Sequence, residues 1–455
     1  MASFKLKRGY HIALTGAAER VVEDGATPTA VALKPPDFRG LIARSDVEEG
    51  ASVKIGTPLF HDKTFEDVVF TSPVSGMVIN VNRGERRAIT DVIVRLEDGA
   101  VAANAGAREQ LAVADPSSGR DGVLATLLQS GLFPFLVQRP LARLANPEQV
   151  PRDIFVSLMD TAPLAAAPKV LLEGREEHFV TGIRALATLT SGGVHLGAAP
   201  DFAMPDISSI SNAERHIFAG KHPAGNVGTH IHHVAPVSGR NDIVWTCSLK
   251  GVLMIGALFA TGQLDTSCVV AVAGDAAPKR RYVRTTLGAR VDSVLGGEPE
   301  NGTVVRYVSG NPLTGRQITP AGFVGFFDSS VTLIPEVVEP RLAGWLMPGL
   351  QSGSKSRTFL SSWLSPDKPV RKDTGTNGGV RAFFATGIYR EVTAIDIHPV
   401  FLMKSILAED IPQMEGLGIH EIAEEDVALC EYICPSKIEW QEITRRGLDL
   451  IEREA

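Results

Sequence analysis

Between about residues 118 and 255, short apolar runs alternate with amphipathic helical patterns, and this alternation constrains the possible fold more than any other feature. Ile154–Met159 is a compact apolar run, Glu173–Leu189 carries apolar residues at helical spacing, and Val194–Leu196 begins another apolar run. A strand, a helix and a second strand in this order favour a parallel sheet with a right-handed crossover. The sequence therefore predicts a Rossmann-like α/β domain over residues 101–262.

The phosphate-binding loop that such domains often carry is missing. After the first strand the chain reads Asp160-Thr161-Ala162-Pro163-Leu164-Ala165, where a dinucleotide site would place G-x-G-x-x-G at the start of the helix. The sequence also contains no G-x-x-x-x-G-K-[ST] motif. We therefore expect a Rossmann-like fold without the usual nucleotide site.

The other regions complete a predicted α+β multidomain architecture. Residues 1–100 hold short strands broken by glycine turns and predict an N-terminal segment with a barrel-sandwich hybrid, as in biotinyl and lipoyl carrier domains. Residues 263–330 contain β-branched strands and predict a β-grasp-type, SLBB-like module. Residues 331–398 predict a mixed connecting region with a mobile loop over Gly349–Gly379, and residues 399–455 predict a helical C-terminal domain.

Composition excludes several classes of protein. The net charge of −7 argues against generic nucleic-acid binding, which needs a basic face. The four cysteines are too few for a disulfide framework and indicate a reducing, cytoplasmic setting. The most apolar stretch, Gly251–Gly262, is shorter than the roughly 20 residues of a membrane-spanning helix, and no apolar run follows the basic N-terminus. We expect a buried core segment there, and neither a signal peptide nor a transmembrane segment.

Two cysteines near the C-terminus form half of a known motif. Cys430-Glu431-Tyr432-Ile433-Cys434-Pro435 reads C-x3-C-P, the closing half of the bacterial ferredoxin-type iron–sulfur motif. The full motif needs cysteines at positions 424 and 427, which hold Glu424 and Val427. Cys430 and Cys434 share a helical face, so they could bind a metal with two outside ligands. Two buried and inert thiols are the more common outcome for free cysteines.

The densest histidine group lies between residues 222 and 233 and has two interpretations. It consists of His222, His230, His232 and His233. H-x-H on a strand would place two imidazoles on one face, which suits zinc or copper. The neighbouring glycines and proline instead predict a tight loop whose histidines bond to backbone carbonyls. No cysteine or carboxylate at local spacing completes a tetrahedral site.

Two interpretations are open for Lys63, and two for a short arginine-rich turn. Lys63 lies near the position at which carrier domains bear a modified lysine on an exposed hairpin, but no methionine flanks it as in a biotin site. It is either modified or a solvated hairpin lysine. The turn holds Arg83, Glu85, Arg86 and Arg87, and it is either solvated or part of a docking surface.

Segments spread across nearly the whole chain, in order, resemble those of the A subunit of the Na+-translocating NADH:quinone reductases. The stretches that carry the resemblance are Leu59-Phe60-His61-Asp62-Lys63, Ser72-Pro73-Val74-Ser75-Gly76, Asn82-Arg83-Gly84-Glu85-Arg86-Arg87, Met159-Asp160-Thr161-Ala162-Pro163-Leu164-Ala165-Ala166, His222-Pro223-Ala224-Gly225, Gly228-Thr229-His230-Ile231-His232, Trp345-Leu346-Met347-Pro348-Gly349 and Leu429-Cys430-Glu431-Tyr432-Ile433-Cys434-Pro435-Ser436-Lys437. This family is related to the C subunit of the Rnf complex and to the flavin-binding NADH subunit of respiratory complex I.

The resemblance implies a peripheral subunit on the cytoplasmic face of the inner membrane that binds no cofactor itself. It implies docking on membrane subunits of a complex that contains NAD, flavins, iron–sulfur and ubiquinone sites, oxidises NADH, reduces ubiquinone and expels sodium. It also suggests a contribution to the quinone site. Trp345, Met347 and Phe401 are expected in the core rather than against quinone. Where the complex I relative has a glycine-rich flavin loop, this chain reads Ser130-Gly131-Leu132-Phe133-Pro134-Phe135-Leu136.

Two other functions stay open at this stage. A Rnf-type electron-transfer subunit would need iron–sulfur clusters, so a colourless protein would exclude it. An independent enzyme with a carrier-like module would need a modified Lys63, which the intact mass would reveal. No catalytic, cofactor-binding or metal-binding residue is predicted from spacing alone.

Overall fold

The computed structural model describes residues 2–96, 108–116, 118–299, 304–337, 355, 359–364, 368–376 and 378–454. The strands in chain order are β1 (Ser3–Lys5), β2 (Val22–Asp24), β3 (Ala30–Leu33), β4 (Ala43–Ser45), β5 (Ser52–Val53), β6 (Pro58–Asp62), β7 (Val69–Thr71), β8 (Gly76–Arg83), β9 (Ile89–Leu96), β10 (Leu136–Arg139), β11 (Arg143–Leu144), β12 (Ile154–Ser157), β13 (Val194–Ala198), β14 (Ala213–Ala219), β15 (Val244–Ser248), β16 (Ser267–Ala273), β17 (Arg281–Thr286), β18 (Val305–Ser309), β19 (Arg316–Ile318) and β20 (Ser330–Pro335). The helices are α1 (Arg120–Ser130), α2 (Pro168–Leu172), α3 (Glu176–Ala187), α4 (Val227–Val234), α5 (Leu249–Thr261), α6 (Val291–Leu295), α7 (Ser361–Leu364), α8 (Pro399–Leu407), α9 (Ile411–Gly416), α10 (Glu424–Ile433) and α11 (Trp440–Arg453). The mixed α+β architecture agrees with the prediction.

Two small antiparallel sheets form the N-terminal barrel-sandwich. One has the strand order β3-β9-β8-β5 and the other β4-β6-β7. Phe60 and Phe70 stack with ring centroids 4.6 Å apart in their shared core. Lys63 is exposed in the connection between β6 and β7, as predicted for a hairpin lysine. The turn at Glu85–Arg87, between β8 and β9, is exposed as well.

A seven-stranded sheet forms the centre of the α/β domain, in the order β1-β14-β13-β12-β15-β10-β11. β12 is parallel to both β13 and β15, so the predicted strand–helix–strand unit is present. Helices α3 and α5 pack closely because each has a glycine at their contact. A Cβ on Gly256 would lie 1.6 Å from the carbonyl oxygen of His178, and one on Gly182 would lie 2.2 Å from that of Val252. Residues Leu249–Phe259 of α5 are buried, which confirms a core segment there.

The N-terminal segment adds strands to two other sheets. β1 pairs in parallel with β14, and β2 pairs in parallel with β17. The second of these sheets has six strands in the order β19-β18-β20-β16-β17-β2. Its strand β20 runs to Pro335, beyond the limit of residue 330 predicted for the module. The predicted limits could not include these pairings because they join segments far apart in the sequence.

Helices α8 to α11 pack around an apolar core near the C-terminus. Tyr389 and Trp440 are fully buried in it, with ring centroids 4.4 Å apart. The expectation that Phe401 belongs to the core is wrong: its exposure is 61%, because it lies on the outer side of α8. Trp345 and Met347 lie outside the described residues, as does much of the predicted mobile loop Gly349–Gly379. Among the described helices, none combines the length and the apolar character needed to span a membrane.

Candidate functional site

The strand order of the parallel sheet reverses between β12 and β15, and their carboxyl ends lie at this switch point. From β12 the chain adds β13 and β14 on one side, and then returns to add β15 on the other. In open α/β sheets, ligands usually bind in the crevice at such a switch point. A ligand site is therefore expected among the residues around this crevice.

The chain's own residues tie this crevice together. The hydroxyl of Ser157, at the end of β12, donates to the carbonyl of Gly225 at 2.8 Å. Thr161 accepts a hydrogen bond from the backbone N–H of Gly225 at 2.9 Å, and its hydroxyl lies 3.2 Å from Nδ1 of His222. A Cβ on Gly225 would lie 2.8 Å from the nitrogen of Thr161, so only glycine fits there. The loop after β12, which lacks the phosphate motif, is thus bound to the segment before α4.

The start of α10 packs against the same edge through a buried arginine. Arg139, the last residue of β10, donates to the carboxylate of Glu425 at 2.8 Å and to that of Asp426 at 3.4 Å. The side chains of Arg139 and Asp426 are 5% and 2% exposed. Burial alone would lower the pKa of Arg139, but Asp426 and Glu425 outweigh it, so the pKa is raised and the guanidinium stays charged.

Further ion pairs extend this contact, which we call the α10 junction and define by Arg39, Arg139, Arg445, Glu424, Glu425 and Asp426. Oε1 of Glu424 lies 3.5 Å from Nη1 of Arg445 and 3.6 Å from Nε of Arg39. These arginines come from α11 and from the barrel-sandwich. The junction therefore connects the helical domain to both N-terminal domains by charge pairs.

His232 adds one more contact between α4 and the helical domain. Its Nδ1 lies 2.6 Å from Oε2 of Glu421. Close to it, the side-chain amide of Asn226 donates to the carbonyl of Glu425 at 3.0 Å. The polar residues of this edge thus make contacts within the chain, which explains how the helical domain is held against the sheet.

The structure corrects the predicted conformation of the histidine group. Residues 227–234 form the helix α4, neither a strand nor a loop, so His230 and His232 point to different sides. His230 and His233 do bond to backbone carbonyls, those of Ala224 and Thr229, both at 2.9 Å, as predicted. Burial lowers the pKa of His222 and of His230 to about 4. These rings therefore act as neutral parts of the core.

Cys430 and Cys434 are both fully buried in the helical core. The hydroxyl of Tyr389 lies 3.1 Å from Sγ of Cys434, and that of Thr393 lies 3.4 Å from Sγ of Cys430. Burial raises the pKa of the Cys430 thiol to about 12. Burial would raise the pKa of the Cys434 thiol as well, but hydrogen bonds, first that with Tyr389, outweigh burial and lower it. Both thiols lie in a packing layer, and Cys434 is shielded by its burial and not by a high pKa.

The remaining positions of the ferredoxin motif do not fit an iron–sulfur cluster. Val427 is fully buried, and Glu424 is engaged at the α10 junction. The other two cysteines of the chain, Cys247 and Cys268, lie on β15 and β16. Because a four-iron cluster needs a thiolate at each of its irons, these residues cannot supply a complete ligand set.

A different group of residues has the spacing of metal ligands. Atoms of His195, Glu214 and His216 that could bind a metal all lie within 4.8 Å of one another, and this is the one such group among the residues that the structure describes. Nδ1 of His195 lies 3.0 Å from Nε2 of His216. Burial, and then the neighbouring His195, lower the pKa of His216. This group cannot be found from the sequence, because only the register of β13 with β14 brings its members together.

Three family models match the chain in successive regions. Residues 4–97 match the NqrA N-terminal barrel-sandwich hybrid domain, residues 118–264 match the NqrA second alpha/beta domain, and residues 269–319 match the NQRA C-terminal domain of SLBB type. These regions correspond to the barrel-sandwich, the seven-stranded domain and part of the six-stranded sheet.

Curated relatives match over nearly the full length. The A subunit of the Na(+)-translocating NADH-quinone reductase of Rhodopirellula baltica is 36% identical over 99% of this chain and 98% of that protein. The protein of the same name from Neisseria meningitidis serogroup B is 37% identical over 99% of both chains. Among solved structures, an air-oxidized NAD+-reducing [NiFe]-hydrogenase gives a TM-score of only 0.40 at 14% identity, over 74% of this chain and 61% of that one. The chain thus belongs to the NqrA family, the A subunits of the Na+-translocating NADH-quinone reductases.

Proposed function

We propose that this chain is a peripheral subunit of a Na+-translocating NADH–quinone reductase and docks on membrane subunits at the cytoplasmic face of the inner membrane. The observation that carries the proposal is the likeness to NqrA proteins over 99% of the chain. NADH oxidation, sodium passage and the redox cofactors then belong to other subunits of the complex. This chain binds no flavin and no iron–sulfur cluster.

Exposed apolar side chains support a docking role. Large apolar residues exposed at the surface are frequent in one part of the described sequence, between residues 360 and 407, where they are Leu360, Trp363, Leu364, Val380, Phe384, Phe401 and Leu407. Exposed apolar patches often mark protein–protein interfaces. We assign residues of this stretch to the contact with the membrane subunits.

A contribution to the quinone site is the second part of the proposal. It rests on the reaction of the family, in which quinone is reduced, and on the expected position of this chain against the membrane subunits. A photoreactive ubiquinone analogue added to the assembled complex should label this chain, and excess ubiquinone should suppress the labelling. Labelling that is confined to the other subunits would remove this part of the proposal.

The main experiment compares membranes with and without this subunit. We expect quinone reductase activity to be lost when the subunit is missing and restored when the purified chain is added back. The purified chain alone should show no steady NADH:quinone turnover. Turnover by the isolated chain, or full activity in membranes that lack it, would contradict the proposal.

A matched pair of surface variants tests the docking stretch. Phe401 and Met77 are both large, apolar and exposed, at 61% and 43%, but Met77 lies on β8 of the barrel-sandwich. Phe401→Ser should weaken binding to membranes that lack the subunit, whereas Met77→Ser should bind like the unchanged protein. Equal binding by all three proteins would exclude Phe401 from the interface.

Two measurements separate this function from the alternatives. A Rnf-type electron carrier would show the visible absorption of iron–sulfur clusters and stoichiometric iron and sulfide after anaerobic purification. A carrier-type enzyme would have an intact mass above the sequence value by a lipoyl or biotinyl increment on Lys63. We expect a colourless protein with the mass of the unmodified chain.

A further inference from the structure

The amino ends of β13 and β14 bring two imidazoles and a carboxylate to one face of the central sheet. His195 is in register with Glu214, and His216 follows Glu214 by two residues on the same strand. Residues two apart on a strand point to the same face, and residues in register lie side by side. The three side chains therefore converge without any change of backbone.

We propose that His195, His216 and Glu214 bind a divalent transition metal, with zinc as the best fit. Zinc binds imidazole nitrogen and carboxylate oxygen at 2.0 to 2.2 Å, so neighbouring ligand atoms in a tetrahedral site lie roughly 3.3 Å apart. The distance from Nδ1 of His195 to Nε2 of His216 is 3.0 Å, and that from Nε2 of His216 to Oε2 of Glu214 is 3.8 Å. One of these distances is shorter and the other longer than the separation of neighbouring ligand atoms in a tetrahedral zinc site, so small side-chain rotations would bring both to it.

A carboxylate behind His195 orients its ring for this role. Oδ1 of Asp153 lies 3.4 Å from Nε2 of His195. The same carboxylate is held by Arg152 at 2.9 Å and by the backbone N–H of Gly193 at 3.0 Å. With the proton of His195 on Nε2, the lone pair of Nδ1 faces His216. Metal-binding histidines commonly have such a carboxylate on their second nitrogen.

The surroundings of the group favour a three-ligand site that keeps one open position. The Phe155 ring packs against His195 with centroids 4.8 Å apart and restrains its rotation. The side chain of His216 is 4% exposed, whereas that of Glu214 is 49% exposed. Water can therefore reach the metal from the Glu214 side, as in zinc sites with three protein ligands. Two nitrogen ligands suit zinc, nickel or copper and not magnesium or calcium, which prefer oxygen.

The site can be tested by zinc titration of the full chain, purified without a histidine tag and treated with a chelator. We expect one zinc ion per chain with a dissociation constant in the micromolar range or below. Cobalt in place of zinc should give the visible absorption bands of tetrahedral coordination. The melting temperature should rise with zinc concentration, because the folded state binds the metal.

Four variants and a control assign the ligands. His195→Gln and His216→Gln should weaken zinc binding by about a hundredfold or more, and Glu214→Gln by about tenfold. Asp153→Asn should weaken zinc binding about 10- to 100-fold, as for other carboxylates that accept a hydrogen bond from a ligand histidine. His61 is a matched control, since its side chain is 16% exposed like that of His195 and pairs with a carboxylate, Asp46. His61→Gln should bind zinc like the unchanged chain.

Variants of the more exposed ligands test the proposal even if the buried His216 cannot be replaced without unfolding the chain. His216 is buried, so His216→Gln is assessed only if its circular dichroism matches that of the unchanged chain. Glu214 is at the surface, and Glu214→Gln should fold normally. Unchanged zinc affinity in Glu214→Gln and His195→Gln, or no saturable binding by the unchanged chain, would show that these residues form no metal site.

Discussion

The guanidinium of Arg139 lies 2.8 Å from the carboxylate of Glu425, although 286 residues separate them in the sequence. Arg139 is the last residue of β10, which lies next to the edge strand β11 of the central sheet. Glu425 lies in the first turn of α10. With Asp426 as its second partner, Arg139 is the only cation of the α10 junction that contacts both of these carboxylates among the described contacts. This pairing is one of the contacts that hold the helical domain against the α/β domain.

Loss of this arginine should destabilise the protein strongly. Arg139→Met removes the positive charge and leaves the buried Asp426 without its ion-pair partner, which typically costs about 3–5 kcal/mol. We expect this decrease in the free energy of unfolding by urea. As a control, Arg446 pairs with Glu409 at the surface, with side chains 54% and 58% exposed. Arg446→Met should change stability by less than about 1 kcal/mol. Equal effects of the two substitutions would contradict a special role for Arg139.

Patterns with a local origin could be predicted from the sequence. The helical character of residues 399–455 and the strands on either side of α3 follow from patterns within one segment, and the structure has them as expected. The core segment expected at Gly251–Gly262 is present as far as Phe259, and the last three residues of the stretch are exposed. In these cases the burial of one apolar face decides the structure, and that face can be read from the order of residues.

Features that depend on long-range pairing could not be predicted. His195 and Glu214 meet through strand register, and Arg139 and Glu425 meet through the docking of domains. The glycines and the proline of the histidine segment predict a loop, and its H-x-H spacing suits a strand, whereas the structure has the short helix α4 there. A single large apolar residue such as Phe401 is expected in the core, whereas here it is exposed.

The close packing of α3 and α5 predicts a sharp difference between two glycine substitutions. Gly256→Ala should be strongly destabilising, because its Cβ would lie 1.6 Å from the carbonyl oxygen of His178 and the helices would have to separate. We expect a loss of at least about 3 kcal/mol in urea unfolding. At Gly416, near the end of α9, no atom lies within 4 Å of an added Cβ. Gly416→Ala should be neutral or stabilising by up to about 1 kcal/mol. Comparable losses for both variants would contradict the close packing of α3 and α5.

The low pKa of the buried His230 predicts that the folded protein loses stability in mild acid. His230 has a pKa of about 4 in the folded protein, lowered first by burial, against about 6.5 when unfolded. The neutral ring is favoured by folding, so its contribution is complete above pH 6.5 and is lost as the pH falls towards 4. Between pH 7.5 and 5 this amounts to about 2 kcal/mol for one such group.

His230→Phe isolates this contribution, since the new ring can still stack on Phe218, whose centroid is 4.1 Å from that of His230. From pH 7.5 to 5, the unchanged protein should lose about 2 kcal/mol more stability than the variant. His398→Gln changes an exposed histidine and serves as the control. If the two variants and the unchanged protein lose stability in parallel, His230 does not titrate as a buried neutral group.

The four thiols should resist modification while the protein is folded. All four cysteines are buried, and burial raises the pKa of Cys268 and brings that of Cys247 and Cys430 to about 12. At Cys434 hydrogen bonds outweigh burial and lower the pKa, so this thiol is protected only because reagents cannot reach it in the folded core. Because the thiolate is the reactive form, a disulfide reagent at pH 8 should label less than one thiol per folded chain. In urea the same reagent should label four. Rapid labelling of Cys430 or Cys434 in the folded chain, located by mass spectrometry, would show that the helical core opens readily and would contradict the interpretation of these cysteines as packing residues.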